Sequence, residues 1–411
     1  MNKNWVQEPL AKNAYIKGRI GWRGLKANEY KKEGPFLIAG NHINNGRIDW
    51  NRCDHINLYR YNESWEIALK EKDIILTKDG TIGRIAFIDK LPGLATINST
   101  MMLIRVRAPL LAEFVYHYLN SASFQKIVED KVSGSSIPHI FQEDMKRLKI
   151  PVPSETEQRQ IARILDTLDE AIQKTEQLIA KLKAIKQGLL HDLLTRGLDE
   201  NGRLRDPVAH PEQFKPSPLG PIPKEWEIKE IGELATLEYG AGLTENKRSG
   251  IGYPVYGSNG IVGYHDTFLI QGPGIIVGRK GSVGSIHWSS DSFWPIDTTY
   301  YVNAKEEIGL RWFYWALQYS DLDRLDSSTG VPGLNRNDAY KIKLYKPKYS
   351  EQNQIASILD TLENTIAKHE QNYLSKLRLL KKGLMHDLLT GKVRVNIKEE
   401  NRSQTKGGNP L

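Results

Sequence analysis

The sequence predicts an α+β protein made of two related halves, each a globular domain of short strands followed by one long helix. Residues 157–177 (EQRQIARILDTLDEAIQKTEQ) recur as residues 351–371 (EQNQIASILDTLENTIAKHEQ), with 14 identical positions and no gap. After one inserted residue the match resumes, with GLLHDLLT at 188–195 against GLMHDLLT at 383–390. Patterns of apolar strand and glycine turn also recur ahead of each copy. An internal repeat of this length indicates a pseudo-twofold architecture.

Length and composition favour a soluble multidomain protein. The 411 residues suffice for two or three domains with sizeable cores. The net charge is +8 and the pI about 9.1, a mild basic excess that favours polyanionic partners. Cys53 is the only cysteine, which excludes an intrachain disulfide and a multi-cysteine zinc site. No apolar run is long enough to span a membrane and no signal peptide is recognisable, so we expect a cytoplasmic protein.

Residues 1–153 are predicted to form the first globular domain. Residues 74–88 contain two apolar strands around a Lys-Asp-Gly-Thr-Ile-Gly turn, in which Gly80 and Gly83 permit a positive φ. Residues 36–50 place an apolar strand before a polar tip, and residues 110–130 have helical spacing. The tips are rich in Lys, Arg, Asn and Ser, which donate hydrogen bonds to phosphates and base edges. Each of these motifs, taken singly, is better explained as an ordinary hairpin turn.

Residues 154–197 are predicted to form the first repeated helix, with Thr156 as N-cap and Gly197 closing the C-terminus. Apolar side chains alternate in steps of four and three, which is typical of a coiled-coil seam: Ile161, Leu165, Leu168, Ile172, Thr175, Ile179 and Leu182. A helix on an ordinary globular core is the alternative. Residues 157–195 would span roughly 60 Å as a helix, and an insertion after Thr195 is expected to change the distance between the two halves.

The second half is predicted to repeat this plan. Residues 198–224 are rich in proline and indicate a semi-extended linker. They precede a second globular domain at 225–347, a second repeated helix at 348–391 and a polar tail at 392–411, with disorder expected beyond about Lys398.

The two domains match at scaffold positions and differ at their tips. Trp226 corresponds to Trp5, and Ile231 to Leu10. The turn residues pair as Arg279 with Lys78, Gly281 with Gly80 and Gly284 with Gly83, and the last loop pairs Pro332 with Pro138 and Asp338 with Asp144. The tips are GNHINNGR in one half and GSNGIVGYH in the other. This combination indicates two related readers of different targets, although a decayed duplication with no function in the tips would also produce it.

Motifs that carry chemistry are absent from the sequence. It contains no phosphate-binding loop, dinucleotide-binding glycine motif, His-Glu-x-x-His or Cys-x-x-Cys motif, and no Asn/Asp-Pro-Pro-Tyr/Phe motif. His191 and His386 recur beside aspartates, but neighbouring residues on a helix do not face each other. We therefore interpret both histidines as helix-terminal packing residues, and expect no catalytic residue and no metal site in this chain.

The repeated helices, the GLLHDLLTRG helix end with its DENGRLRDP continuation, and LGPIPKEWEIKEIGEL together resemble the DNA-specificity subunits of type I restriction-modification enzymes. The resemblance covers nearly the whole chain. It implies two target-recognition domains that each read one half of a bipartite DNA site, with the two helices paired antiparallel as a spacer. It implies as partners two methyltransferase subunits, which carry S-adenosylmethionine and methylate adenine, and restriction subunits that use ATP and Mg²⁺ to translocate and cleave DNA. The first domain departs from the pattern, because no Gly-x-Ile-Pro-x-x-Trp lead precedes Trp5.

We predict DNA contacts at the tips of both domains. The candidates are Asn41, His42, Asn44, Arg47, Lys78 and Arg84 in the first domain, and Asn259, Arg279, Lys280, Ser282, Asn335 and Arg336 in the second. Two alternatives remain open at the level of sequence. One is a two-module coiled-coil scaffold that binds protein or carbohydrate, and the other is a nuclease or methyltransferase with an unrecognised site.

Overall fold

The computed structural model describes residues 5–18, 29–133, 139–305, 307–325 and 333–395. The chain divides into two compact units. The first unit comprises Met1–Thr175 and Tyr373–Leu411, and the second comprises Glu176–Asn372. Each unit therefore takes part of both repeated helices, which the division by sequence into domain and helix does not anticipate.

The strands of the first unit form small sheets around two apolar clusters. They are β1 (Val6–Pro9), β2 (Ala14–Gly18), β3 (Tyr30–Ile38), β4 (Ile43–Asn44), β5 (Arg47–Ile48), β6 (Asp54–Ile56), β7 (Ile74–Thr77), β8 (Ile85–Phe87), β9 (Ala95–Ile97), β10 (Met101–Val106) and β11 (Lys149–Val152). The largest sheet has the order β2-β10-β7-β8 and is antiparallel. A second sheet has the order β6-β3-β9, with β3 parallel to β9, and β1 pairs with β11.

The helices of the first unit are α1 (Leu58–Asn62), α2 (Ala112–Leu119), α3 (Ala122–Ser133) and α4 (Gln142–Arg147), together with part of α5 (Glu155–Thr195). The helical spacing predicted at 110–130 is confirmed as the two helices α2 and α3. Their apolar faces pack on the main sheet: Phe114 of α2 is fully buried in the same cluster as Ile74 of β7 and Ile104 of β10. Gly134 and Pro138, predicted to mark the following loop, lie outside the described residues.

The strands of the second unit repeat this arrangement. They are β12 (Phe214–Lys215), β13 (Ile222–Pro223), β14 (Glu227–Glu230), β15 (Ala235–Tyr239), β16 (Tyr253–Gly257), β17 (Gly260–His265), β18 (Gly274–Gly278), β19 (Ile286–Ser289), β20 (Trp294–Pro295), β21 (Thr299–Ala304) and β22 (Lys343–Lys346). The sheet order β15-β21-β18-β19 matches β2-β10-β7-β8, and β14 pairs with β22 as β1 does with β11. β16 lies between β17 and β20 and is parallel to β20.

The helices of the second unit are α6 (Ile231–Leu234), α7 (Leu310–Tyr319), α8 (Arg336–Tyr340) and α9 (Tyr349–Lys368), while α10 (Ser375–Leu389) returns to the first unit. The matched positions at the start of the two domains are equivalent in the fold, whereas Pro138 and Pro332 lie outside the described residues. Trp5 and Trp226 are both buried directly before the first strand of a two-stranded sheet. Leu10 and Ile231 are buried directly after that strand. These features confirm the α+β class and the internal repeat.

The N-terminus of α5 differs from the prediction. Ser154, not Thr156, is the capping residue: the Glu157 backbone N–H donates to Ser154 Oγ at 3.4 Å, and the Ser154 N–H donates to the Glu157 carboxylate at 3.3 Å. This reciprocal pair is a capping box. Thr156 is exposed on the first turn. The predicted C-terminus is confirmed, since Gly197 has a φ of +58° and donates to the Asp192 carbonyl at 3.1 Å.

Within each unit α5 makes contacts with the second repeated helix. In the first unit Ile161 and Leu165 are buried in one cluster with Leu388 of α10. In the second unit Lys186 Nζ lies 2.6 Å from the Glu363 carboxylate. Lys183, one turn before Lys186 on α5, lies 2.6 Å from the carboxylate of Glu370, which is two turns after Glu363 on the second repeated helix. Ascending positions on one helix thus pair with descending positions on the other, as in an antiparallel helix pair.

The second repeated helix is not one uninterrupted α-helix. A π-helical turn, His369–Leu374, separates α9 from α10. This turn overlaps the end of the matching stretch at 351–371 and runs into the interval before 383–390, where the second copy carries one residue more than the first. A π turn accommodates one extra residue within a helix. The insertion is therefore absorbed locally, and the apolar positions on both sides keep their register.

Residues 198–224 are folded, in contrast to the predicted semi-extended linker. β12 and β13 pair, Leu198 and Ile222 are buried, and Leu198 N–H donates to Glu351 Oε1 at 2.8 Å. The buried contacts of Leu198 help to order residues 198–224, although this segment has no apolar periodicity. An insertion after Thr195 would displace this packed segment, so that position is a poor place to change the length of the helix.

The start of the predicted tail is also ordered against the first unit. Arg394 forms an ion pair with the Glu157 carboxylate, and its guanidinium lies 5.7 Å from the ring centroid of Trp5. Val393 N–H donates to the Asp387 carbonyl at 3.1 Å. The disorder predicted beyond about Lys398 falls outside the described residues.

Candidate nucleic-acid interface

The equivalent turns of the two main sheets carry the basic residues matched by sequence. Lys78 directly follows β7, and Arg279 directly follows β18. Gly83 and Gly284 have φ values of +83° and +71°. A Cβ on Gly284 would lie 2.4 Å from the backbone of Leu322. This turn therefore requires glycine for two reasons: the positive φ, and the close approach to the backbone at Leu322.

In the second unit four of the six predicted residues meet at one cavity of about 520 Å³. Arg279, Lys280, Asn335 and Arg336 line it. A backbone bridge between Lys280 and Gly333, and a hydrogen bond from Leu334 N–H to the Arg279 carbonyl at 2.8 Å, hold the two segments together. The sequence suggested these residues separately, and the strand register places them side by side.

Two tyrosines that sequence reasoning missed complete this cavity, hereafter the tyrosine–arginine pocket (Tyr239, Arg279, Lys280, Tyr300, Asn335 and Arg336). The guanidinium carbons of Arg279 and Arg336 each lie 5.2 Å from the ring centroid of Tyr239. Tyr239 and Tyr300 pair across β15 and β21, with ring centroids 5.1 Å apart. Both arginines therefore stack on a tyrosine platform fixed by the sheet.

Carbonyl oxygens orient these arginines. Arg279 donates from Nε and Nη2 to the Asp297 carbonyl at 3.2 and 2.7 Å, and Arg336 donates from Nη1 to the Leu237 carbonyl at 3.3 Å. Burial, followed by the neighbouring Tyr239, raises the pKa of Tyr300 to about 12. Tyr300 is thus neutral at physiological pH and does not offset the positive charge of the arginines.

Asn259 and Ser282 lie on neighbouring turns outside the pocket lining. Asn259 is exposed between β16 and β17, and Ser282 is exposed in the turn after β18. Ser285 Oγ donates to the Ser258 carbonyl, which joins the two turns. All six predicted residues of the second unit therefore belong to two adjoining turns and the segment that faces them.

The equivalent place in the first unit has different chemistry. Lys78 Nζ donates to Asp79 Oδ2 at 2.8 Å, and His139 Nδ1 donates to Asp79 Oδ1. Burial raises the pKa of Asp79, but the hydrogen bonds from Lys78 and His139 outweigh it and hold the pKa below its ordinary value. Gly18 N–H donates to Gln142 Oε1 at 2.9 Å. The side chain of Lys78 is only 14% exposed, which limits its reach to a ligand.

The other predicted residues of the first unit surround the hairpin of β4 and β5. Asn41, Asn44 and Arg47 are exposed there. Arg84 is also exposed and donates to the Gly40 carbonyl at 3.4 Å, which brings the turn after β7 against this hairpin. Arg47 lies 3.4 Å from the Asp89 carboxylate on the surface.

His42 is misplaced among the candidates for direct contact. Its side chain is 3% exposed, and its Nδ1 accepts the Ala39 N–H at 3.1 Å. Burial lowers its pKa. His42 is therefore a neutral residue that shapes the loop from within. This burial could not be predicted from the sequence, because Asn41 and Asn44 on either side are exposed.

The missed residues had a recognisable signal in one case. Tyr239 ends an alternating strand directly before Gly240, and the register of β15 against β21 gives its partner. Gln142 and His139 could not be recognised, because the loop before them matches its counterpart in position and not in chemistry. Within the described residues no group of His, Cys, Asp and Glu is arranged to hold a metal ion, and no helix could cross a membrane.

Comparison with known proteins assigns the family. The family described as "Type I restriction modification DNA specificity domain" matches residues 25–184 and 223–376. These two matches cover most of the chain and correspond to its two halves. The chain belongs to this family, and the resemblance inferred from the repeated helices is confirmed.

Individual relatives span nearly the full length. The type I restriction enzyme MjaVIII specificity subunit of Methanocaldococcus jannaschii is 24% identical over 361 residues, which cover 80% of this chain and 81% of that protein. The type I restriction enzyme EcoDI specificity subunit of Escherichia coli is 24% identical over 443 residues, covering 95% and 93%. The crystal structure of a type I restriction-modification S subunit from M. genitalium has a similar fold, with a TM-score of 0.65, 21% identity and coverage of 97% and 98%.

Proposed function

We propose that the chain is the DNA-specificity subunit of a type I restriction-modification complex, in which each unit reads one half of a bipartite duplex site. The observation that carries this proposal is the repetition of one sheet scaffold with unlike side chains at equivalent turns. The two units share one sheet scaffold but carry different side chains on its exposed turns. This arrangement suits the recognition of two different DNA sequences.

The candidate contacts are of the types that read DNA. Asn41, Asn44, Arg47, Arg84, Asn259 and Ser282 are exposed on turns, and asparagine and arginine form bidentate hydrogen bonds with base edges. His42 acts indirectly through the shape of its loop. The arginines and lysine of the tyrosine–arginine pocket are suited to an anionic group.

The repeated helices set the distance between the two readings. α5 has 41 residues and is about 60 Å long. A spacer of that length suits two major-groove contacts separated by one or two helical turns of about 34 Å. In this proposal α5, α9 and α10 form an antiparallel coiled coil that serves as the spacer between the two target-recognition domains.

The chain directs chemistry that its partners perform. Two methyltransferase subunits carrying S-adenosylmethionine methylate adenine, and restriction subunits use ATP and Mg²⁺ to translocate and cleave DNA. The complex acts in the cytoplasm. Membership of the specificity-domain family and the names of the relatives support this assignment.

Selection from a random duplex library tests the proposal. The full chain with its methyltransferase subunits should enrich a motif of two fixed parts separated by a gap. Seven residues inserted after Thr175 and seven after Asn372 keep the helical seam in register. Because seven helical residues add about 10 Å, the gap should lengthen by about three base pairs while both fixed parts stay unchanged. An uninterrupted motif, or altered fixed parts in the longer variant, would refute the proposal.

A further inference from the structure

The tyrosine–arginine pocket gathers three positive charges that no carboxylate of the described residues neutralises. Arg279, Lys280 and Arg336 all line it, and among the described residues none of them has a carboxylate within 4.0 Å. The two guanidinium carbons each lie 5.2 Å from the ring centroid of Tyr239, so both positive charges are gathered beside one aromatic ring in the same concave site. Their contacts to the carbonyls of Asp297 and Leu237 orient them but leave their net charge in place.

The strand register identifies the equivalent positions in the first unit. Arg279 corresponds to Lys78, Lys280 to Asp79, and Arg336 to Gln142. A carboxylate and an amide there replace two of the three cations. Lys78 donates to Asp79, so the described residues of the first unit form no cluster of unneutralised positive charge at this place.

The chemistry of the pocket favours an anionic ligand over a neutral base edge. Three cations in one concave site repel one another, and a neutral hydrogen-bond acceptor leaves that repulsion uncompensated. A phosphate oxygen supplies both the negative charge and the acceptors for charge-assisted hydrogen bonds. The carbonyl already bound to Nε and Nη2 of Arg279 also occupies one of the two edges with which arginine reads guanine.

We propose that the tyrosine–arginine pocket binds one phosphodiester group of the DNA backbone, so that the second unit carries more of the salt-dependent affinity than the first. This inference rests on the proposed function, since it names the part of DNA that one of its sites takes. The pocket fixes the position of the second unit on the duplex, and the exposed side chains of the neighbouring turns read the bases.

The decisive experiment measures how affinity for duplex DNA depends on salt. Lys280→Gln removes an exposed cation without touching the sheet, and Lys224→Gln removes an exposed lysine of the same unit outside the pocket. Binding of the full chain with its methyltransferase subunits is measured between 50 and 200 mM NaCl, on a selected and an unrelated duplex. The slope of log affinity against log salt concentration is negative, about −0.9 per neutralised phosphate, so weakening this contact should make the slope less steep by up to about 0.9.

The proposal requires that Lys280→Gln makes this slope less steep by the same amount on both duplexes, while Lys280→Arg and Lys224→Gln keep the wild-type slope. An unchanged slope for Lys280→Gln overturns it. So does a loss confined to the selected duplex, which would make Lys280 a base contact, or an equal loss with Lys224→Gln, which would indicate a general effect of charge. If the wild-type complex selects no duplex at all, the proposed function itself fails, which is a distinguishable result.

Discussion

The two units share a scaffold and differ in the charges that the scaffold presents. In the second unit the turn after β18 contributes to a cluster of cations on a tyrosine platform. In the first, the turn after β7 closes on itself through Lys78, Asp79 and His139, and the exposed polar side chains lie on a separate hairpin. Equivalent backbone positions thus carry unlike surface chemistry. The difference teaches that sheet order is maintained by buried residues, which leaves the turns free to diverge.

The same comparison extends to the contacts between the start of each repeated helix and the buried tryptophan of its unit. Glu157 and Glu351 occupy one position of the repeat. Glu351 accepts from Arg205, from Trp226 Nε1 at 2.9 Å and from the Leu198 backbone. Glu157 binds Arg394 and its own helix cap, and Trp5 Nε1 has no hydrogen-bond partner among the described residues. The second unit therefore has the more complete polar network beneath its tryptophan.

Replacement of this glutamate should have the largest effect of the changes considered. Glu351→Ala leaves Arg205, whose side chain is 11% exposed, as an uncompensated buried charge, so we expect a loss of about 3–5 kcal/mol of unfolding free energy. Glu157→Ala should cost only about 1–2 kcal/mol, because Arg394 is 45% exposed and keeps its contact with water. Urea unfolding of the full chain measures both. Equal losses would contradict the difference described between the two networks.

The capping box of α5 predicts a smaller change. Ser154→Ala removes the acceptor for the Glu157 N–H and should lower the unfolding free energy by about 1 kcal/mol. Thr156→Ala is the matched control and should change it by only a few tenths, because Thr156 is exposed beyond the cap. The same unfolding measurement decides between them, and a larger effect at Thr156 would restore it as the N-cap.

The smallest expected effect tests whether Asp79 neutralises Lys78 at the place in the first unit that is equivalent to the tyrosine–arginine pocket. Asp79→Asn removes the charge that neutralises Lys78, and should steepen the salt dependence of DNA affinity by up to about 0.9 in slope. Asp89→Asn frees Arg47 on the surface of the same unit and serves as a control for charge alone. If the two variants change the slope equally, the change results from net charge alone and not from the position of Asp79 beside Lys78.

The sequence predicted the fold well where periodicity and repetition governed it. The helical state of α5, the glycine at its end and the equivalence of Trp5 with Trp226 all follow from spacing and buried side chains. Local capping was misassigned because Ser154 and Thr156 are both good caps, and only the geometry of Glu157 distinguishes them. The extent of order in residues 198–224 was missed because a few buried contacts, such as those of Leu198, outweigh a proline-rich composition.

The candidate site could be predicted only in part. Basic residues on repeated turns were recognisable, and in the second unit the register brings Arg279, Lys280 and Arg336 together as neighbours. Burial could not be inferred inside a polar loop, so His42 was placed among the contacts. Pairing across distant segments was equally hidden, because the bond between Asp79 and His139 joins positions 60 residues apart.

Genome-wide mapping of modified bases, in cells that carry the chain with its methyltransferase subunits, tests the central claim most directly. If each unit reads one half-site, modification should depend on this chain and fall within a motif of two fixed parts with a constant gap. Exchanging only the second unit's turns for those of a relative should alter one fixed part and leave the other unchanged. A single uninterrupted motif, or modification that does not depend on the chain, would contradict the account.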